Sequence, residues 1–368
     1  MRHYITFFAI LCSVCFANAQ SLVTRLDVLL GDALLHASDA SVAVYDLTAD
    51  RMLYEHRADK LCRPASVEKV VTAVTALDRL GTDYSLQTEL RVTGFLGPDS
   101  ILHGDLYVVG GFAPEFSISD LNALIAAIPD AGIRSITGSV LADVSMADSV
   151  YWGSGWCWDD APASFQPYYS PLLLEKGCVE VCVTPTIKDS VATVVCLPAS
   201  SWYEVDNRTV CYNDSAGPFR ITRAWQQGSN RITGNVEQSR TQKLSLQTSD
   251  EHFFALFTEL MLRQGLGVSS FGYATCPPDA RSIAIVKRPI SEVVYEALKE
   301  SDNLNAEALL YHLAASSGKP YATAVDGIVR IDSLLSFIHT MYGERSTRVP
   351  PHKIVDGSGL SNYNMITS

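Results

Sequence analysis

The chain has 368 residues, 47% hydrophobic and 18% charged, so it can bury a sizeable core and form two or three globular domains. Its 28 Lys and Arg face 40 Asp and Glu, a formal charge of -12. That balance argues against nucleic acid or an anionic membrane surface as the main partner, because basic patches hold both. The one long apolar stretch sits at the N-terminus, which excludes multi-span membrane, fibrous and disordered classes.

Residues 1–19 read as a signal peptide. Arg2 and His3 form a polar start, Tyr4 to Phe16 is apolar, and Ala17-Asn18-Ala19 supplies the small-x-small cleavage pattern. The apolar run is too short to span a bilayer. Neither Cys12 nor Cys15 is placed for lipidation, so the expectation is an exported chain starting at Gln20 with no membrane anchor. Seven cysteines follow: Cys62, Cys157, Cys178, Cys182, Cys196, Cys211 and Cys276. They are too sparse for a disulfide scaffold and read as buried small side chains with one or two disulfides at most. No histidine stands at zinc-ligand spacing near them, so no metal is expected.

Ser41–Tyr45 and Met52–His56 alternate as strands around a turn at residues 47–51, a hairpin. After Pro64-Ala65-Ser66, Val67, Val70, Val71, Val74 and Leu77 recur at helical spacing until Gly81. From about residue 84 to 284 the texture changes to short β-branched runs broken by Gly, Pro, Asn and Asp. Leu86–Thr93, Ile101–Val109, Val179–Pro185 and Ser190–Pro198 read as strands. Tyr151-Trp152, Trp156, Trp158 and Tyr168-Tyr169 form an aromatic cluster, read as core ahead of a glycan platform. Helical periodicity returns at Ile290–Leu298, Glu307–Ala315 and Val325–Met341. The pattern is that of a β-rich insertion, 84–284, inside an α/β parent made of 20–83 and 285–368.

Ser66-Val67-Glu68-Lys69 has the form S-x-x-K at a helix start. Positions i and i+3 share a helix face, so Lys69 Nζ can reach Ser66 Oγ. A serine needs a base to take its proton, and a lysine serves only if burial and nearby positive charge lower its pKa. Ser301-Asp302-Asn303 stands between two helical runs, 235 residues later (301 − 66). A hydroxyl there can relay a proton to a leaving amine, and an asparagine amide can bind a peptide carbonyl. Each motif alone also fits an ordinary helix cap. Together, in this order, they are two of the three signatures of serine β-lactamases and penicillin-binding proteins.

From Ser41 to the last residue the chain resembles the class C low-molecular-mass penicillin-binding proteins, the D-alanyl-D-alanine carboxypeptidase/endopeptidases. The likeness rests on Pro64 to Lys69 with Thr72-Ala73 and Leu80-Gly81, on Gly104 to Val108, and on Gly155-Trp156-Cys157-Trp158-Asp159-Asp160. It continues through Ser301-Asp302-Asn303 with Ala306-Glu307, then Asp356-Gly357-Ser358-Gly359-Leu360-Ser361 and Asn364. The resemblance implies an α/β (α+β) transpeptidase-like fold with a two-part insertion. It also implies a periplasmic hydrolase acting on peptidoglycan stem peptides that end in D-Ala-D-Ala, inhibited covalently by β-lactams and needing no cofactor. The implied roles are Ser66 as nucleophile, Lys69 as base, Ser301 as relay, Asn303 as substrate-positioning amide and Asp302 as loop support.

Two departures qualify it. Gly110-Gly111-Phe112-Ala113-Pro114-Glu115 replaces a glycine-rich G-G-G-D-P-T stretch, and no K-[ST]-G occurs in the 368 residues. The second suggests a C-terminally truncated form, with the hairpin short of neighbours and a helix face uncovered. The competing expectation is therefore a non-catalytic remnant or peptidoglycan-binding module; a β-lactamase is a minor third.

Overall fold

The computed structural model describes residues 21–223, 230–342 and 351–368; the leader read in residues 1–19 lies outside them. The chain divides into two compact units, one of Met1–Pro64, Thr347–Lys353 and Asn364–Ser368, the other of Ala65–Ser346 and Ile354–Tyr363.

In the first unit two short helices, α1 (Leu22–Leu30) and α2 (Ala33–Ala37), start at Ser21 and Asp32, whose side chains accept from Thr24 N and Leu34 N. These caps satisfy donors that a helix start otherwise leaves unpaired. Strands β1 (Val42–Asp46) and β2 (Arg51–His56) form the antiparallel hairpin that the alternation indicates. Its turn is organised by Asp46 Oδ1, which accepts from Thr48 N and Ala49 N at 3.0 Å each. Among the described residues no third strand joins this pair. Cys62 and Ile366 exchange both backbone bonds, tying the last residues to the unit.

The second unit holds three cores. The first is helical: α3 (Glu68–Leu80) and the later helices α6 (Ile290–Lys299), α7 (Asn303–Ala315) and α8 (Ala324–Tyr342) pack together. Helix α7 is buried on every side from Leu304 to Ala314. A helix buried on every side, with Asn305, Glu307 and His312 among its buried residues, has no amphipathic stripe, which is why periodicity located only its later part. Asp302 is its N-cap and accepts from Asn305 N.

The second core lies on a seven-stranded mixed sheet built of β3 (Ser85–Val92), β4 (Phe95–Leu96), β5 (Ile101–His103), β6 (Leu106–Val109), β7 (Ser135–Asp143), β14 (Gly267–Tyr273) and β15 (Arg281–Pro289). Strand β15 pairs β3, β3 pairs β6, and β7 sits between β6 and β14. The run Ile101–Val109 is two strands, because the chain turns at Gly104, where a Cβ would stand 2.1 Å from Thr93 O. Two helices here break the β texture read from the sequence: α4 (Ile118–Asp130) and α5 (Ser249–Arg263). Leu121, Leu124, Ile125 and Ile128 of α4 meet Phe253, Leu256, Phe257 and Met261 of α5 in this core. Helix α4 opens with a capping box, Ser117 and Asp120 each bonding the other's backbone.

The third core joins two small sheets. One orders β13 (Arg240–Ser245), β8 (Cys178–Thr184) and β9 (Thr193–Leu197); the other orders β10 (Val205–Cys211), β12 (Asn230–Val236) and β11 (Arg220–Arg223). Val179, Val181 and Val183 project inward from β8. All seven described cysteines are free thiols, so the disulfides that the count allowed do not form. Cys178 and Cys182 lie four residues apart on one strand, roughly 13 Å at the usual strand rise. Cys196 stands opposite Val181 and so projects from the other face of the sheet. No helix among the described residues is long and apolar enough to cross a membrane.

Candidate active site

Ser66 sits in a single 3-10 turn, Ala65–Val67, that runs straight into α3. Ala65 takes a left-handed φ of 49°, an uncommon conformation for a residue with a Cβ. Ser66 is exposed, whereas Lys69, one turn on, is 1% exposed. The side chains meet as the i, i+3 spacing requires: Lys69 Nζ is 3.0 Å from Ser66 Oγ. The same nitrogen donates to Asn303 Oδ1 at 2.6 Å and to the Ser358 carbonyl at 2.9 Å.

Burial pulls the Lys69 ammonium below the ordinary lysine range, against the opposing pull of Glu307, Asp356 and Asp302. A lysine base is expected to owe its lowered pKa to burial and a positive neighbour. The charges that act on Lys69 are carboxylates, so desolvation alone supplies the downward shift. A neutral amine keeps two protons for Asn303 Oδ1 and Ser358 O and turns its lone pair on Ser66 Oγ.

Asn303 opens α7, and both ends of its amide are engaged: Nδ2 donates to Phe165 O at 2.7 Å. Asp302 Oδ1 accepts from Asn305 N at 2.9 Å and Asn305 Nδ2 at 3.0 Å. Ser301 also has a left-handed φ, 58°, and is exposed. It lines a cavity of about 240 Å³ with Phe165, Lys176, Asp302 and Asn303. The structure thus brings Ser66, Lys69 and Asn303 into one bonded group. Ser301 stands on the wall of the adjoining cavity, not bonded to Ser66 or Lys69.

What holds this group are residues that the sequence marks only as motifs of the resemblance, with no role assigned: Glu307 and the run Asp356 to Gly359. The turn Asp356-Gly357-Ser358-Gly359 presents the Ser358 carbonyl to Lys69, and Glu307, 1% exposed, holds that turn. Glu307 Oε1 accepts from Gly357 N at 3.1 Å and Ser358 N at 2.9 Å. Burial, and then the neighbouring Asp356 charge, push the Glu307 carboxyl up to about 8. Thr72 Oγ1 donates to Gly357 O at 2.8 Å. Asp356 Oδ2 accepts from Trp156 Nε1 at 2.8 Å and Ser361 N at 2.6 Å. The two glycines were the available signal. A Cβ on Gly359, whose φ is 79°, would lie 1.8 Å from Ala65 O, and one on Gly357 would lie 2.7 Å from Ala306 O. Of the aromatic cluster, Trp156 and Tyr169 are core, while Trp158 is 69% exposed. Among the described residues no group of three or more His, Cys, Asp and Glu could hold a metal ion.

The fold is that of a penicillin-binding protein. It matches penicillin-binding protein 4 from Haemophilus influenzae with a TM-score of 0.75 at 20% identity, covering 90% of this chain and 73% of that one. The same protein complexed with a β-lactam matches at 0.67 and 18% identity, covering 90% and 72%. The chain belongs to the D-Ala-D-Ala carboxypeptidase 3 (S13) family, the class C low-molecular-mass penicillin-binding proteins, whose profile matches residues 22–368. A D-alanyl-D-alanine carboxypeptidase of Actinomadura is 28% identical over 367 residues, 96% of this chain and 66% of the relative. The D-alanyl-D-alanine carboxypeptidase DacB of Haemophilus influenzae is 22% identical over 346 residues, 92% and 70%. The chain therefore spans about two-thirds of the length of these curated relatives.

Proposed function

We propose that this protein is a serine-type D-Ala-D-Ala carboxypeptidase and endopeptidase of peptidoglycan metabolism, working in the periplasm through an acyl-Ser66 intermediate. The observation that carries this reading is the buried Lys69 amine, 3.0 Å from an exposed Ser66 hydroxyl and held there by Asn303 and Ser358. Ser66 Oγ attacks the carbonyl carbon of the penultimate D-alanine while Lys69 takes the hydroxyl proton. The carbon–nitrogen bond breaks, and the terminal D-alanine leaves with a proton relayed through Ser301. Water then attacks the ester and returns the proton to Ser66. Asn303 positions the peptide and Asp302 supports the loop. Segments 20–83 and 285–368 form the catalytic domain and 84–284 its insertion. β-Lactams, which offer the same carbonyl, are taken as covalent inhibitors.

The test is intact-protein mass after exposure to benzylpenicillin, with Ser66→Ala alongside. The expected result is one stable adduct on the parent and none on the variant. No adduct on a parent that unfolds cooperatively would overturn the acyl-serine reading. It would favour a non-catalytic peptidoglycan-binding module.

A further inference from the structure

Lys176 has no part in the chemistry just described, yet it is the most heavily paired cation among the described residues. It lies in the 3-10 turn Glu175–Gly177 that leads into β8. Its Nζ is 2.9 Å from Glu115 Oε1, 3.1 Å from Glu296 Oε2 and 3.0 Å from Asp302 Oδ2. These carboxylates come from three places: the stretch between β6 and α4, helix α6, and the S-D-N turn ahead of α7. The group is knitted further by Asn305 Nδ2, which donates to Glu115 Oε1 at 2.7 Å as well as to Asp302 Oδ1. Two successive residues, Glu175 and Lys176, hold left-handed φ values of 51° and 60° to put the ammonium there. Such strain persists only where the surroundings over-determine it. Glu115 is also the last residue of the stretch that replaces G-G-G-D-P-T, so that departure supplies one of the three carboxylates.

We propose that Lys176 is a positioning residue for the Ser66 chemistry: it clamps Asp302, and through it the start of α7, so that Asn303 Oδ1 meets the Lys69 amine. The linkage is continuous, from Lys176 to Asp302, along the chain to Asn303, then to Lys69 and Ser66. One positive charge faces three negative ones in a partly buried setting. Removing it leaves Glu115, Glu296 and Asp302 mutually repelling, and Asp302 stands on the short turn that joins α6 to α7. The inference rests on the acyl-serine reading of the same site.

The test compares Lys176→Met, which keeps length and loses charge, with Lys176→Arg, which keeps charge. For benzylpenicillin acylation, Lys176→Met is expected to lower the saturating rate constant about 10- to 100-fold, the scale of a roughly 1 Å misplacement. The dissociation constant of the initial complex should stay near that of the parent, and Lys176→Arg should recover most of the rate. In hydrogen exchange, peptides covering residues 301–305 should lose protection in Lys176→Met well below its unfolding temperature. Parent-like acylation, or slowing only in proportion to the unfolded fraction, would overturn the clamp. If the parent itself forms no adduct, the acyl-serine reading falls, and exchange alone decides the clamp. Unchanged protection over 301–305 would then refute it.

Discussion

Lys69 Nζ has three oxygens in reach, Ser66 Oγ, Asn303 Oδ1 and Ser358 O, and an ammonium has three protons for them. Loss of one proton leaves the two carbonyl-type acceptors satisfied and converts the Ser66 contact from donation into acceptance. Because burial lowers the Lys69 pKa, the active neutral form gains population at lower pH than in a free lysine. The rate of β-lactam acylation is therefore expected to rise with pH through that depressed value and then level. Stopped-flow acylation between about pH 5 and 10 reads this limb. Lys69→Arg removes it, since a guanidinium stays charged throughout, and should slow acylation by at least about 10²-fold. A parent rate that is flat with pH would assign the proton to some other group.

At the scale of elements, the site depends on a turn with no room for side chains. Gly359→Ala would need a Cβ 1.8 Å from Ala65 O at a φ of 79°, so the turn must withdraw from the residue that precedes Ser66. It should cost about 1–3 kcal/mol in urea unfolding and also slow acylation, because the Ser358 carbonyl moves with it. Ser117→Ala, at the capping box of α4, provides the contrast. It should cost about 1 kcal/mol and leave the acylation rate as it was. If both variants lose stability and neither changes the rate, the turn supports the fold and not the amine.

For the molecule as a whole, Glu307 links the site to global stability. Its carboxyl titrates at about 8 when folded and at about 4.3 in an unfolded chain. Between those values the folded state keeps a proton that the unfolded state has lost, so stability falls as pH rises. The slope from this group is at most roughly 1.4 kcal/mol per pH unit, and it ends above about pH 8. Glu307→Gln retains an oxygen for the Gly357 and Ser358 N–H groups and should flatten that part of the curve. Thermal unfolding of parent and variant from about pH 5 to 8 decides it: parallel slopes would mean that Glu307 is not the titrating group.

The same scales separate what was legible in the sequence from what was not. The hairpin at residues 42–56, helices α3 and α6, and the Ser66–Lys69 pair follow from local periods of two and 3.6, which any reader of the chain can count. Helices α4 and α5 lay hidden in a stretch of β-branched texture, and the start of α7 mixes polar and apolar residues with no amphipathic stripe, because every side of it is buried. The S-D-N turn was visible as a cap, and Asp302 is one. What turns a buried lysine into a base was not visible at all. Asn303 and Ser358 reach Lys69 across 234 and 289 residues, and Glu307 holds Ser358 across 51. Local spacing places two side chains on one helix face. Only packing removes water from one of them and supplies the distant oxygens that it must then bond.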